Sequence, residues 1–259
     1  MRILPKGFIV CLALAPFVSL AQAPLHDLRA VTIQPEAWQL VMLANQARAA
    51  AGSGPLDWDL ALAEAARQHC LQMAAEGPIS HRYGGEADVA VRAGQAGAHF
   101  SVIEENVAIG RSPALIHSAW MRSPDHRANL LSPDVDRVGV AVVASRGVLY
   151  AVADYERAVP VLTLTQVEGA VGELLRRSGM DLSSASDDAR ASCAQDRLAA
   201  SGRRPSFLML WQGSDLNRLP SALVDRIASG RYREAAVGSC APENAENSFT
   251  AYRVAVMLY

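Results

Sequence analysis

The side chains best suited to chemistry lie in two nearby stretches of the sequence. One stretch holds Glu104, Glu105 and His126, and His81 lies a short distance upstream. Imidazole groups are good ligands for Zn²⁺ and similar ions, and a neighbouring carboxylate can ligate the ion or orient a histidine. The same residue types can act as general acid and general base. The sequence therefore indicates a site made from these stretches, which the surrounding elements must bring together.

A hydrolase is an alternative that these residues leave open. Ser80 or Ser123 would be the nucleophile, His81 or His126 the base, and Glu105 the group that orients the base. Neither serine lies in a G-x-S-x-G motif, and the proline after Ser123 lacks the backbone N–H that an oxyanion hole needs. We therefore favour a binding site over an enzyme.

Hydrophobic periodicity predicts the elements that position this site. Apolar residues at helical spacing, bounded by an Asp59 cap and by Gly77, predict a long second helix, and His69 lies on its inward stripe and is not counted as a ligand. The remaining predictions are helices over 35–50, 88–96 and 113–121, a further turn over 127–131, a strand over 100–109 interrupted at 104–106, and a hairpin of strands 138–143 and 148–154.

The N-terminus has the features of a secretory signal peptide, predicted over residues 1–23. Arg2 and Lys6 form a positive region, an apolar core follows, and a small-residue cleavage site ends at Ala23. No later stretch is long and apolar enough to span a bilayer. The formal charge of −2 gives no basic surface for nucleic acid. We expect a secreted or periplasmic protein that binds no nucleic acid and has no transmembrane segment after signal removal.

Three cysteines remain after the predicted cleavage. Cys193 and Cys240 lie in the same late region, so we predict a disulfide between them in an oxidising compartment. Cys70 falls on the apolar stripe of the second helix and is interpreted as a buried small residue.

Taken in order, the residues of the first half resemble the superfamily of cysteine-rich secretory proteins, insect venom antigens and plant pathogenesis-related proteins, called CAP or SCP domains, and most of all its short bacterial branch. The resemblance covers about residues 36 to 157. The matching residues are Asn45, Arg48, Pro55, Leu56, Trp58, Asp59, Leu62, Ala65, Ala66, His69, Met73, Ser80, His81, Glu105, Asn106, Trp120, Ser123, Pro124, His126, Arg127, Asn129, Pro133, Val138, Gly139, Val140, Asp154 and Tyr155.

The resemblance implies an α+β fold, a three-layer α-β-α sandwich, with a cleft lined by two histidines and two acidic residues. His81 and His126 match the histidines, and Glu105 matches the first carboxylate. The resemblance implies that these three residues bind a divalent metal, with Zn²⁺ as the leading candidate. Ser123 stands at the position of the second carboxylate, and Glu104 is a candidate substitute charge.

The family signal stops after residue 157. Residues 160–259 are predicted to form a second small α+β domain of unknown role, after a lead over residues 24–35 and a CAP domain over 36–157. We predict helices over 164–177 and 219–229, strands over 207–211, 234–240 and 251–259, and turn or loop over 181–190. A decayed duplication of the first domain and an accessory module that packs on it or recruits a partner both remain open.

The sequence thus predicts a protein that binds a divalent metal or a small or lipidic ligand in its histidine cleft. A hydrolase and a structural module of the cell envelope are the alternatives. The partner classes are a small molecule, a lipid or an envelope protein.

Overall fold

The structure of this protein is a computed structural model that describes residues 34–199, 203–242 and 249–259. The predicted signal peptide lies outside the described residues, as does most of the predicted lead. The elements of the first half are α1 (Pro35–Ala51), β1 (Asp57–Trp58), α2 (Leu60–Glu76), α3 (Val89–Gln95), β2 (Phe100–Gly110), α4 (Pro113–Arg122), α5 (Pro124–Leu131), β3 (Arg137–Ser145) and β4 (Val148–Ala158).

The first half is a three-layer α-β-α sandwich, which confirms the predicted fold class. Its sheet has the strand order β1-β3-β4-β2, with β1 parallel to β3 and the other pairs antiparallel. Helices α2 and α3 cover one face, and α1 and α4 cover the other. Helix α5 packs beside β2, which is the outer strand.

Helix α2 is the main support of the site, and its sequence explains both of its ends. The Asp59 side chain accepts a hydrogen bond from the backbone N–H of Leu62 at 2.9 Å, as an N-cap should. Gly77, with φ of 107°, ends the helix in a conformation that side chains rarely adopt. Between these ends, Leu62, Ala66, Cys70 and Met73 are buried against the sheet and the adjoining segments.

Two details of the first half differ from the prediction. Strand β2 is continuous through residues 104–106, because β4 pairs with each of these positions. Its polar side chains have partners in the site, so they do not break the strand. Helix α5 begins at Pro124, three residues before the predicted turn, because proline suits the first helical position, where no N–H is needed.

The second half contains α6 (Leu164–Arg177), β5 (Asp181–Leu182), α7 (Ser186–Gln195), β6 (Phe207–Gly213), α8 (Ser221–Ala228), β7 (Glu234–Cys240) and β8 (Tyr252–Leu258). The prediction of turn or loop over 181–190 was wrong, since β5 and the first half of α7 lie there. The buried face of α7 consists of Ala189, Ser192 and Cys193, and such small residues give a weak hydrophobic pattern.

The two halves share one topology. The second sheet has the order β5-β7-β8-β6, again with one short parallel pair followed by antiparallel pairs. A matching glycine marks the same point in each: a Cβ on Gly139 would lie 2.0 Å from the α2 backbone, and one on Gly238 would lie 2.1 Å from the α7 backbone. This agreement supports the duplication hypothesis.

The glycines also define which strand positions correspond. In the first sheet, Gly139 pairs with Asp154, which pairs with Glu105. In the second sheet, the equivalent row runs from Gly238 through Ala255 to Leu210. The acidic pair of the first half is therefore replaced by an apolar pair in the second.

The disulfide between Cys193 and Cys240 is confirmed, with the two Cα atoms 5.8 Å apart. It joins α7 to β7 and packs with Ala255. Cys70 is buried and its thiol donates to the Tyr150 carbonyl at 3.2 Å, which confirms its interpretation as an interior residue. Burial raises the pKa of this thiol to about 12, so it stays protonated and unreactive.

Candidate functional site

The predicted site residues meet beside β2, between the connection from α2 to α3 and helix α5. His81 comes from that connection, Glu105 from β2 and His126 from α5. Glu105 points to the α2 and α3 side of the sheet, because it contacts residues of that layer. The cleft is thus formed by one strand and two segments that flank it.

His81 and Glu105 form the central pair. Nδ1 of His81 lies 2.8 Å from a carboxylate oxygen of Glu105. The His81 side chain is 58% exposed and that of Glu105 only 4%, so the imidazole reaches solvent from a buried carboxylate. The hydrogen bond to Glu105 raises the pKa of His81, against the opposing effect of partial burial. This bond fixes the ring and leaves Nε2 available.

Arg92 holds both members of this pair, a role that the sequence did not reveal. Its guanidinium donates to the second carboxylate oxygen of Glu105 and, at 3.3 Å, to the backbone carbonyl of His81. It also donates to the carbonyl of Ala87 at 2.9 Å. A buried arginine with several fixed donors is well suited to such bridging. Arg92 therefore ties the segment that carries His81 to the strand that carries Glu105.

His69 holds the same segment from the protein interior. It is fully buried, with Nδ1 2.7 Å from the Glu86 carboxylate and Nε2 2.9 Å from the carbonyl oxygen of Ser80. Glu86 also accepts from the backbone N–H of Tyr83 at 2.9 Å. Both ring nitrogens of His69 are occupied, so it positions the neighbour of His81 and is not a ligand.

Asp154 is a second buried acid of the site. It lies directly opposite Glu105 on the neighbouring strand, and neither of its carboxylate oxygens accepts a hydrogen bond within the described part of the chain. Burial, and then the charge of Glu105, raise the pKa of Asp154 well above its usual range. The raised pKa favours the protonated, neutral form of the Asp154 carboxyl group beside the Glu105 carboxyl group.

His126 forms the opposite wall. The ring centroids of His126 and His81 are 6.3 Å apart. Burial, followed by the proximity of His81, lowers the pKa of His126, so this ring is the first of the two to become neutral as the pH rises. Asn106 donates to the His126 carbonyl at 2.8 Å, and Asn129 donates to the Glu105 carbonyl at 3.2 Å. These bonds attach α5 to β2.

The other predicted site residues lie elsewhere. Glu104 does not supply a substitute charge to the cleft, because neighbouring strand residues face opposite sides; its electrostatic neighbours are Asp134 and Arg48. Burial raises the pKa of Glu104. Ser123 is the N-cap position of α5, where its side chain makes no cap hydrogen bond. The Ser80 hydroxyl donates to the carbonyl of Arg82 at 2.6 Å, within its own turn.

A three-residue metal site is not assembled in this geometry. Within the described ranges, no three His, Cys, Asp or Glu side chains converge as metal ligands. The predicted role of Glu105 as a ligand needs correction, since its two oxygens are engaged by His81 and Arg92. Glu105 instead orients His81, and the side-chain donors that remain for an ion are the imidazoles of His81 and His126.

Three contributors were missed at the level of sequence: Glu86, Arg92 and Asp154. Asp154 was among the residues that carry the family resemblance, but its position opposite Glu105 depends on strand pairing. Arg92 lies in the short helix α3, whose periodicity is weak, and Glu86 lies just before this helix. The signal that could have identified Arg92 was its position in the sequence between two predicted cleft residues, His81 and Glu105.

The comparisons with known proteins concern the first half of the chain. Residues 41–155 match the model of the family described as CAP, the cysteine-rich secretory protein family. The uncharacterized protein YkwD of Bacillus subtilis is 32% identical over 111 residues, which is 41% of this chain. The chain spans only 42% of the length of that relative.

Similar solved structures also cover about half of the chain. An extracellular protein of Bacillus anthracis with an SCP domain is 24% identical, with a TM-score of 0.44, over 47% of this chain and 40% of that one. A more distant structure, NaASP2 with Zn²⁺, is 12% identical, with a TM-score of 0.36, over 49% of this chain and 82% of that one.

None of the helices in the described ranges is long and apolar enough to cross a membrane. The family match falls on the segment that supplies His81, Glu105 and His126. Residues 41–155 of this protein therefore form a CAP domain of the cysteine-rich secretory protein family.

Proposed function

We propose that this protein is an extracytoplasmic binding module whose cleft takes a divalent cation, Zn²⁺ first, on His81 and His126. One observation carries the proposal: Glu105 holds Nδ1 of His81 at 2.8 Å, so that Nε2 is available on the side of the cleft that His126 also lines. A histidine whose second nitrogen is bound to a carboxylate is the usual form of a metal-ligating histidine. The donor set fits an ion of this type.

Two imidazoles leave other coordination positions open. A bound ion would supply a Lewis-acidic centre for ligands from outside the chain. Zn²⁺ in proteins takes four ligands, so a site with two protein ligands binds more weakly than a structural zinc site. The proposed ligand is a small molecule, a lipid head group or a side chain of an envelope protein that completes the coordination.

The pH dependence follows from the two histidines. A metal-bound imidazole must be neutral at the ligating nitrogen, and a proton competes with the ion. The hydrogen bond with Glu105 raises the pKa of His81, whereas burial lowers that of His126. As the pH falls, His81 takes up its proton first. We expect Zn²⁺ affinity to fall as the pH is lowered through the range in which histidines titrate, mainly through His81.

Calorimetric titration of the purified protein with Zn²⁺ tests the site. We expect His81→Ala and His126→Ala each to abolish measurable binding, because each removes one of two protein ligands. Glu105→Gln should weaken binding by about 10- to 100-fold, the usual effect of losing the partner of a ligating histidine. His99→Ala is the matched control, since His99 is exposed and pairs with Thr250 away from the cleft.

The remaining outcomes separate the alternatives. Equal Zn²⁺ binding and an unchanged melting temperature in the His81→Ala/His126→Ala protein would refute the binding site. If the parent protein binds no metal and the double variant has a lower melting temperature than the parent, the structural module is favoured. The hydrogen bonds of His69 and Arg92 provide a basis for that role. Hydrolysis of peptide or ester substrates that is lost in Ser123→Ala and His126→Ala would favour the hydrolase.

A further inference from the structure

The second half contains a groove between the end of β6 and helix α8. In the first half, residues 111 and 112 alone join β2 to α4, and the indole N–H of Trp120 on α4 donates to the carbonyl of Val107 at 3.2 Å. In the second half, the longer connection 214–220 joins β6 to α8, and Leu223 is the one buried residue of α8. Helix α8 therefore packs less closely beside its strand than α4 does, which leaves the groove.

The groove has the size and the lining of a small-molecule site. Its volume is about 610 Å³, and such sites range from about 300 to 1,000 Å³. Its lining includes the indole ring of Trp211, from the end of β6. The polar residues of the lining are Ser214, Asp215, Arg218, Ser221 and Asp225. An aromatic ring beside a few polar groups is an arrangement that can hold a ligand in one orientation.

Several polar groups of this groove are free to bind a ligand. Within the described segments, no hydrogen bond or ion pair involves the indole N–H of Trp211 or the carboxylate of Asp225. The same is true of the hydroxyl groups of Ser214 and Ser221. Trp211 is half-buried against the core of the second half, so packing holds its ring in place. The groove therefore presents a donor, an acceptor and two hydroxyl groups that can act as either.

The charges of the groove favour a neutral ligand. Arg218 pairs with Asp215 at 3.1 Å, and Asp215 also accepts from the backbone N–H of Asn217 at 2.8 Å. An anion would be repelled by the carboxylates of Asp215 and Asp225, whereas a cation would be repelled by the guanidinium of Arg218. A neutral molecule with several hydroxyl groups meets neither cost, because each hydroxyl can donate to a carboxylate or accept from an N–H group.

We propose that this groove binds a saccharide. A pyranose ring has a face made mainly of C–H groups and a rim of hydroxyl groups. The C–H face packs on the indole ring of Trp211, which buries apolar area and orients the sugar. The hydroxyl groups then form hydrogen bonds with Asp225, Arg218 and the two serines of the lining. This site lies outside the family match and does not depend on the function proposed for the cleft.

The affinity should be modest. Asp225 is exposed and the side chain of Arg218 is 85% exposed, so water competes with the sugar for their hydrogen bonds. We expect a dissociation constant on the order of millimolar for a trisaccharide.

Fluorescence titration of the purified protein with maltotriose, cellotriose and triacetylchitotriose tests the site. At least one of these sugars should give a saturable change in tryptophan fluorescence at concentrations up to about 10 mM. Trp211→Phe keeps an aromatic ring but removes the larger indole and its N–H. This variant should bind about tenfold more weakly and lose most of the fluorescence change. Trp38→Phe is the matched control, because Trp38 is an exposed tryptophan on α1, and it should leave both unchanged.

Asp225→Ala tests the polar part of the site without disturbing the fold. Asp225 is exposed and has no partner within the described ranges, so the melting temperature should stay unchanged. Sugar binding should weaken by about tenfold, because a hydrogen bond to a charged group is lost. Asp187→Ala, an exposed aspartate on α7, is the matched control and should bind sugar as the parent does.

Three outcomes would overturn the proposal. The first is the absence of saturable binding of all three sugars at about 10 mM. The second is sugar binding that Trp211→Phe and Asp225→Ala leave unchanged, which would place the sugar elsewhere on the protein. The third concerns charge: if n-butylammonium binds in place of the sugars and Asp225→Ala removes that binding, the groove is a site for organic cations.

Discussion

Glu156→Gln is predicted to stabilise the protein at neutral and higher pH. Glu156 lies on β4, on the same sheet face as Asp154, and is 2% exposed. One of its carboxylate oxygens has no hydrogen-bond partner within the described part of the chain. Burial, and then the negative charges of Asp59 and Asp136, raise the pKa of Glu156 to about 8. Its ionised form is therefore destabilising.

The magnitude follows from the difference in the pKa of Glu156 between the folded and the unfolded chain. An unfolded glutamate has its ordinary pKa of 4.5, so the folded state binds this proton more tightly. The stability that Glu156 contributes is greatest below pH 4.5 and is lost as the pH rises to about 8. Each pH unit in this window lowers the free energy of unfolding by about 1.4 kcal/mol, so the loss at pH 7 is about 3 kcal/mol.

Urea denaturation at a series of pH values measures this loss. Glutamine has the shape of glutamic acid without the charge, so Glu156→Gln should have little effect near pH 5 and a stabilising effect of about 3 kcal/mol at pH 7. Glu64→Gln is the control, because Glu64 is exposed and paired with Arg67; it should destabilise by at most about 1 kcal/mol. A stability difference for Glu156→Gln that does not grow with pH would refute the reasoning.

Two further predictions concern the shared topology. Gly139→Ala and Gly238→Ala should each lower the free energy of unfolding by about 3 kcal/mol or more, because the added Cβ meets helix backbone. Gly54→Ala is the control, because the space around Gly54 is open. Comparable denaturation midpoints in all three variants would contradict the close approach of strand and helix. Replacing Cys193 and Cys240 by alanine removes the disulfide, which joins residues at a sequence separation of 47. The free energy of unfolding should fall by about 4 kcal/mol in the same assay, because the unfolded chain gains conformational freedom. An unchanged stability would show that the disulfide does not constrain the unfolded chain.

Much of the first half could be predicted because its signals are local. The Asp59 cap, the apolar stripe of α2 and the glycine that ends it all act within a few residues, and the structure has each of them. His81, Glu105 and His126 lie on different elements, so their residue types suggested a shared site, and the ordered family resemblance implied that this site is a cleft.

The details of the cleft depend on pairing that local patterns do not encode. Asp154 meets Glu105 only in the register of β2 and β4, and Arg92 reaches it from a helix of seven residues. The error for Glu104 was avoidable, since successive strand residues face opposite sides. Helix α7 escaped prediction because the small residues of its buried face pack closely on β7 at Gly238.

The attachment of both cleft walls to β2 has a consequence for ligand choice. The carboxylate of Glu105 holds His81, its carbonyl holds Asn129 of α5, and the adjacent Asn106 holds the carbonyl of His126. Two consecutive residues of one paired strand thus set the separation of the histidines before any ligand arrives. If the cleft binds as proposed, this arrangement predicts selection by ligand size, with little ordering entropy opposing binding. Ligands that differ in radius should therefore be distinguished by affinity, without a closing motion of either wall.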